Sequence, residues 1–155
     1  MRFVLYQPDI PQNTGAIMRL AACLGMGVDI IEPCGFVLDD KRLRRAAMDY
    51  IDVLDWQRWP SWDTYCGQAH PGRLILLTTK GTVDHLALNY RPDDRLVLGQ
   101  ESAGVPESVH DVADLRAAIA VRPGMRSLNV AIAAAMVATE AIRQTGSPWQ
   151  GPSGA

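Results

Sequence analysis

Short apolar runs rich in branched residues punctuate the chain: RFVLY (2–6), VDII (28–31), RLILLT (73–78), RLVLG (95–99) and AAIAV (117–121). Near-continuous apolarity over four to six residues predicts strands buried on both faces rather than strands with one wet face. Between the runs the period changes. Ile17, Leu20, Ala21 and Leu24 recur at i, i+3, i+4 and i+7, which predicts an amphipathic helix over Thr14 to Leu24. Further helices are predicted over Asp40 to Met48, Trp62 to Ala69, Pro106 to Val112 and Ser127 to Gln144. Strands alternating with helices imply an α/β fold with a mostly parallel sheet flanked by helices.

A chain of 155 residues, 48% hydrophobic and 21% charged, suits one soluble domain over 1–146. The remainder, 147–155, lies in the tail GSPWQGPSGA, whose Gly, Pro and Ser content predicts a flexible end. The longest apolar run, Val130 to Ala138, is too short to span a bilayer, and MRFVLYQPD lacks the apolar core of a secretion signal. A cytosolic location is expected. Cys23, Cys34 and Cys66 have no CxxC spacing, so they are expected to be reduced and partly buried, neither a disulfide framework nor a zinc site. The formal charge of −2 argues against bulk affinity for nucleic acid, although local clusters can override it.

Ligands of parallel α/β sheets sit beyond the carboxyl ends of the strands, so the segments TTKG, GQESAGVP and RPGMRSLN are the ones that bear on chemistry. None is a phosphate loop of the GxxxxGK[ST] kind, and no GxGxxG follows a strand. GQESAG is not a nucleophile elbow either, because Gln100 stands two residues before Ser102. His70, His85 and His110 lie apart from one another and from any acid pair, and no metal or catalytic role falls to them.

Three ordered stretches, NTGAIMR (13–19), LVLGQESAGVP (96–106) and RSLNVAIAAAM (126–136), resemble the motifs of the trefoil-knotted, SPOUT-class RNA ribose methyltransferases. The likeness runs essentially end to end. IEPCGF (31–36), DDKRLRRAAMDY (39–50) and LTTKG (77–81) resemble more narrowly the small single-domain subgroup that methylates the 2'-hydroxyl of the wobble nucleotide, cytidine or uridine 34, of certain tRNAs. The resemblance implies a C-terminal deep trefoil knot, an obligate homodimer and S-adenosylmethionine held bent in the knot loops, with no metal. Threaded chains are so rare that patterning alone gives an ordinary sheet. By position it implies cofactor contacts at Leu77, Thr78, Gly99, Glu101, Ile119, Ser127 and Leu128, and catalytic-site roles for Asn13, Arg19, Glu101 and Asn129.

On the residues alone, Leu77 and Ile119 read as core, Gly99 as a turn residue, Ser127 as the cap of the last helix and Glu101 as a solvated carboxylate. Arg19 lies about 200° around its helix from Ile17, off the apolar stripe, where a surface arginine is the ordinary finding. Lys41, Arg42, Arg44 and Arg45 fall within five residues and read either as a solvated helix face or, on an RNA enzyme, as phosphate ligands; Arg122 and Arg126 are the stronger single RNA contacts. Two departures from the family stand out: Ile119, Ala120 and Val121 replace an Ile-Pro-Met run, and Thr139 replaces a tyrosine before Glu140. Alternatives are a ribose methyltransferase acting on another tRNA or rRNA nucleotide, and a non-catalytic, cofactor-binding RNA-interaction protein.

Overall fold

The computed structural model describes residues 1–38, 50 and 52–146. The helix expected over Asp40 to Met48, the basic cluster Lys41, Arg42, Arg44 and Arg45, and the tail 147–155 lie outside the described residues.

In chain order the elements are β1 (Arg2–Tyr6), α1 (Pro11–Leu24), β2 (Gly27–Ile31), β3 (Trp56–Trp59), α2 (Trp62–Cys66), β4 (Leu74–Leu77), β5 (Val83–Asp84), a 3-10 turn (His85–Ala87), β6 (Arg95–Leu98), α3 (Glu107–Val112), β7 (Leu115–Ala118) and α4 (Val130–Thr145). The strands form one sheet in the order β3-β2-β1-β6-β4-β7-β5. Every strand pair in it is parallel.

Period-two alternation sorts the strand residues onto two cores. Phe3 and Leu5 of β1 join Ile30, Ile75, Leu96 and Leu98 beneath Ile17, Met18 and Ala21 of α1 and Ala134, Val137 and Ala138 of α4. Val4 and Tyr6 face the other way, with Ile31, Leu76 and Val97, against Trp59, Trp62 and Tyr65. Both faces are therefore covered, which is why the strands are apolar throughout. Tyr65 is sandwiched by aromatic neighbours, stacking on His70 at 4.2 Å and on Trp62 at 5.5 Å between ring centroids.

Several boundaries differ from expectation. β7 covers Leu115–Ala118 instead of 117–121, so Ile119 and Val121 lie beyond the strand. The final helix starts at Val130, not Ser127: the Asn129 side chain is the cap, its Oδ1 accepting from the N–H groups of Ala131 (2.9 Å) and Ile132 (3.3 Å). α1 begins earlier, with Pro11 in its first turn, where a missing N–H costs nothing. α2 stops at Cys66, short of Ala69. Cys23 and Cys66 are exposed and only Cys34 is partly buried, because Cys23 lies on the outer face of α1 and Cys66 at a helix end. Burial, with the nearby Glu32 carboxylate, pushes the Cys34 thiol up to about 12, which makes it a poor nucleophile.

α4 is apolar on nearly every face, yet part of that surface is exposed. Ile132 is 55% exposed and Met136, one turn on, is 40% exposed. No helix among the described residues is long and apolar enough to cross a membrane.

Candidate active site

Parallel strands end together, so the segments leaving β4, β6 and β7 gather on one edge of the sheet. They enclose a cleft of about 540 Å³. Leu77 and Thr78 enter from β4, Leu98, Gly99, Gln100 and Glu101 from β6, and Ile119 from beyond β7. Met125, Arg126, Ser127 and Leu128, with Val130 and Ala133 of α4, close the remaining side. All seven residues expected to touch a cofactor, Leu77, Thr78, Gly99, Glu101, Ile119, Ser127 and Leu128, line this one cleft. Its size and its mix of apolar walls with main-chain donors and acceptors suit a nucleoside-sized ligand.

Gly99 serves the cleft indirectly. A Cβ built on it would lie 2.6 Å from the carbonyl carbon and 2.7 Å from the carbonyl oxygen of Gly104. The turn between them is pinched shut by two backbone bonds, Gln100 N–H to Gly104 O and Gly104 N–H to Gln100 O, both 2.9 Å. Glycine at 99 is what lets the cleft wall fold back on itself.

At the head of that turn, Glu101 joins three elements. Its Oε2 accepts from Asn13 Nδ2 of α1 at 2.7 Å and from the Val130 N–H at the start of α4 at 3.1 Å. Asn129 Nδ2 donates to Asn13 Oδ1 at 3.0 Å and lies 3.5 Å from Glu101 Oε1. The carboxylate thus sits at the positive end of α4, where unpaired N–H groups and the helix dipole both favour an anion. Asn13, Glu101 and Asn129, far apart in sequence, form one polar cluster.

Arg19 does not join it. It is exposed on the outer face of α1 with Gln12, Ala16, Leu20 and Cys23, along an open groove of about 530 Å³. Its guanidinium carbon stands 5.6 Å from the centre of the Tyr50 ring, within cation–π range. Arg126 is at the cleft, whereas Arg122 is exposed in the same loop and lines no part of it.

Three contributors carry no strong signal in the sequence. Val130 and Ala133 look like plain helix interior, and nothing in their spacing marks them as cleft wall. Asp9 could have been noticed, since Pro8-Asp9 directly follows the carboxyl end of a strand, where functional loops concentrate.

Comparison with known proteins agrees with this geometry. The profile of the SpoU rRNA Methylase family matches residues 1–139. A protein of Beijerinckia indica described as tRNA (cytidine(34)-2'-O)-methyltransferase is 54% identical over 145 residues, covering 92% of this chain and 91% of its own. A solved structure concerned with the 2-OH methylation of C/U34 on tRNA superposes with a TM-score of 0.87 at 36% identity, covering 92% of this chain and 94% of that one. The SpoU methyltransferase AviRb from Streptomyces viridochromogenes, in complex with AdoMet, superposes with a TM-score of 0.81 at 26% identity over 93% of this chain and 60% of its own. With a parallel sheet whose strand-end loops build one cleft, and a family profile that extends over nearly all the described residues, the chain belongs to the SpoU rRNA methylase family.

Proposed function

We propose that this protein is a cytosolic, homodimeric tRNA ribose methyltransferase that transfers a methyl group from S-adenosylmethionine to the 2'-hydroxyl of the wobble nucleotide, cytidine or uridine 34. The observation that carries the reading is the single cleft lined by all seven expected cofactor residues, with the Asn13–Glu101–Asn129 cluster at its wall. The name of the Beijerinckia indica relative supports the substrate. The domain spans 1–146, and the threaded, knotted path of its C-terminal part belongs to the same reading.

When bound, S-adenosylmethionine supplies a methyl group on a positively charged sulfur, which leaves as a neutral thioether. The protein's own part is placement. Leu77 and Ile119 offer apolar cover to an adenine, and the main chain around Gly99, Ser127 and Leu128 offers donors and acceptors to its edge. Glu101, held by Asn13 and Val130, fixes the wall beside the reacting centre. Arg122 and Arg126 take RNA phosphate, and Lys41, Arg42, Arg44 and Arg45 extend that surface. No metal is needed for a displacement whose leaving group departs uncharged.

Assembly follows from unspent surface. Ile132 and Met136 on α4, and Gln12, Ala16, Arg19 and Cys23 on the outer face of α1, are exposed among the described residues. A second copy laid on these helices by a two-fold axis would bury them, and this reading assigns one protomer's Arg19 to its partner's cleft. Light scattering at micromolar concentration is expected to return twice the 17.0 kDa chain mass; a monomer would remove the dimer from this reading.

The reaction itself is tested by mass-spectrometric mapping of ribose methylation in tRNA from cells with and without the protein. Loss of 2'-O-methylation at position 34 alone is expected. An unchanged position 34, with loss elsewhere in tRNA or rRNA, would move the substrate.

A further inference from the structure

The loop between β1 and α1 reaches the cleft wall through one side chain, and that side chain has no role in any reading above. The Asp9 carboxylate accepts three hydrogen bonds from the turn that carries Glu101. Oδ1 takes the Glu101 N–H at 2.9 Å, and Oδ2 takes both the Ser102 N–H, at 3.1 Å, and the Ser102 hydroxyl. Such a grip on two successive main-chain donors fixes the direction in which the intervening side chain leaves the backbone. That side chain is Glu101, and Asn13, four residues beyond Asp9, meets it from the other side at 2.7 Å.

The loop is built to present Asp9. Gln7 adopts φ 45°, a left-handed conformation that costs a residue with a side chain about 1 kcal/mol or more. Its N–H bonds to Ile31 O at 3.0 Å, which holds that turn in place. Beneath Asp9 lies Gly35, where a Cβ would stand 2.8 Å from the Asp9 Cα, and the Gly35 N–H bonds to Pro8 O at 2.9 Å. Only glycine permits this approach. Asp9, Asn13, Gly99 and Glu101 share the wall of a small cavity of about 10 Å³. Partial burial raises the Asp9 carboxyl, but the Ser102 hydroxyl and the Glu101 and Ser102 N–H groups outweigh it and hold the group below its ordinary range.

We infer that Asp9 is a positioning residue for methyl transfer: it clamps the Gln100–Gly104 turn from the β1–α1 loop so that Glu101 is aimed into the Asn13–Asn129 cluster. The inference rests on the methyltransferase reading of the site. Asp9 touches neither substrate nor cofactor in this role and acts through Glu101. Its removal therefore lowers kcat at saturating S-adenosylmethionine, and the effect is lost when Glu101 is absent.

The test is a double-mutant cycle on the full-length protein, read as kcat on tRNA, with thermal unfolding and calorimetric titration of S-adenosylmethionine alongside. Asp9→Asn keeps the shape but turns an amide toward donors. It is expected to unfold within a few degrees of the parent and to lose roughly tenfold in kcat, as a misaligned catalytic group does. In a Glu101→Ala background the same change is expected to cost less than twofold. Equal factors in the two backgrounds, or parental kcat in a folded Asp9→Asn protein, would overturn the clamp. Should Asp9→Asn not fold, Ser102→Ala removes one of the three donors, and parental kcat there would overturn it equally. An active Glu101→Ala protein would defeat both the clamp and the catalytic reading of Glu101, whereas a damaged Glu101→Ala beside an intact Asp9→Asn defeats the clamp alone.

Discussion

Arg19→Ala should leave a folded protein with parental affinity for S-adenosylmethionine and cut turnover on the order of a hundredfold or more, the usual cost of losing one aligned electrostatic donor. The affinity is spared because Arg19 lines no part of its own chain's cleft. On the function proposed above, turnover is lost because the Arg19 guanidinium would fork onto phosphate and ribose oxygens, align the hydroxyl and stabilise negative charge as that oxygen attacks. Arg19 lies on the exposed face of α1, its guanidinium within cation–π range of the Tyr50 ring. Arg19→Lys should fail nearly as badly, since a compact ammonium cannot reproduce a planar fork. Single-turnover methylation of tRNA, paired with calorimetry, separates the two quantities. A folded Arg19→Ala protein with near-parental turnover would return this arginine to an ordinary solvated role.

Gly99→Val is the second large effect, and it should fall on cofactor binding. The resemblance places Gly99 at the cofactor, where a side chain would collide with ligand; the structure puts the first collision within the protein, against the main chain of Gly104 at 2.6 to 2.9 Å. A backbone neighbour cannot rotate away as a side chain does. The Gln100–Gly104 turn must open, breaking its paired 2.9 Å bonds and shifting the Glu101 wall. Overpacking of this kind costs about 1–3 kcal/mol, and if the whole of it falls on the cleft, affinity drops roughly five- to 150-fold. Calorimetry on the folded variant is the measurement, and unchanged affinity would remove Gly99 from the site.

What the sequence disclosed depended on how local each signal was. β1, β4 and β6 were plain in RFVLY, LILL and RLVL because central parallel strands are apolar on both faces. β3, WQRW, carries no such signature: it lies at the sheet edge, where Gln57 and Arg58 are exposed and no apolar run marks a strand. β7 was displaced because AAIAV is more apolar than LRAA, whereas Arg116 in fact bonds the His110 carbonyl from within the strand. The last helix was started three residues early because Ser127 is as good a cap by type as Asn129.

The site divided in the same way. Motif resemblance named Asn13, Glu101 and Asn129, but the bonds that join them span 88 and 116 residues, and no local pattern carries such a pairing. For Asp9 only its position after β1 is a local signal; what it grips is not, since its partners are 92 and 93 residues away.

The strand order couples the cleft to the stability of the whole chain. β6 is inserted between β1 and β4, and β4 between β6 and β7, so the cleft's walls hang from the middle of the sheet. Its lining runs from Leu77 to Ala133, and a growing polypeptide cannot present it until α4 has been made. No partial opening of an edge strand such as β3 dismantles it. Occupancy consequently weighs against complete unfolding: a ligand at a hundred times its Kd adds about 2.7 kcal/mol to the global transition, and the sheet's centre becomes the part of the molecule that ligand protects most.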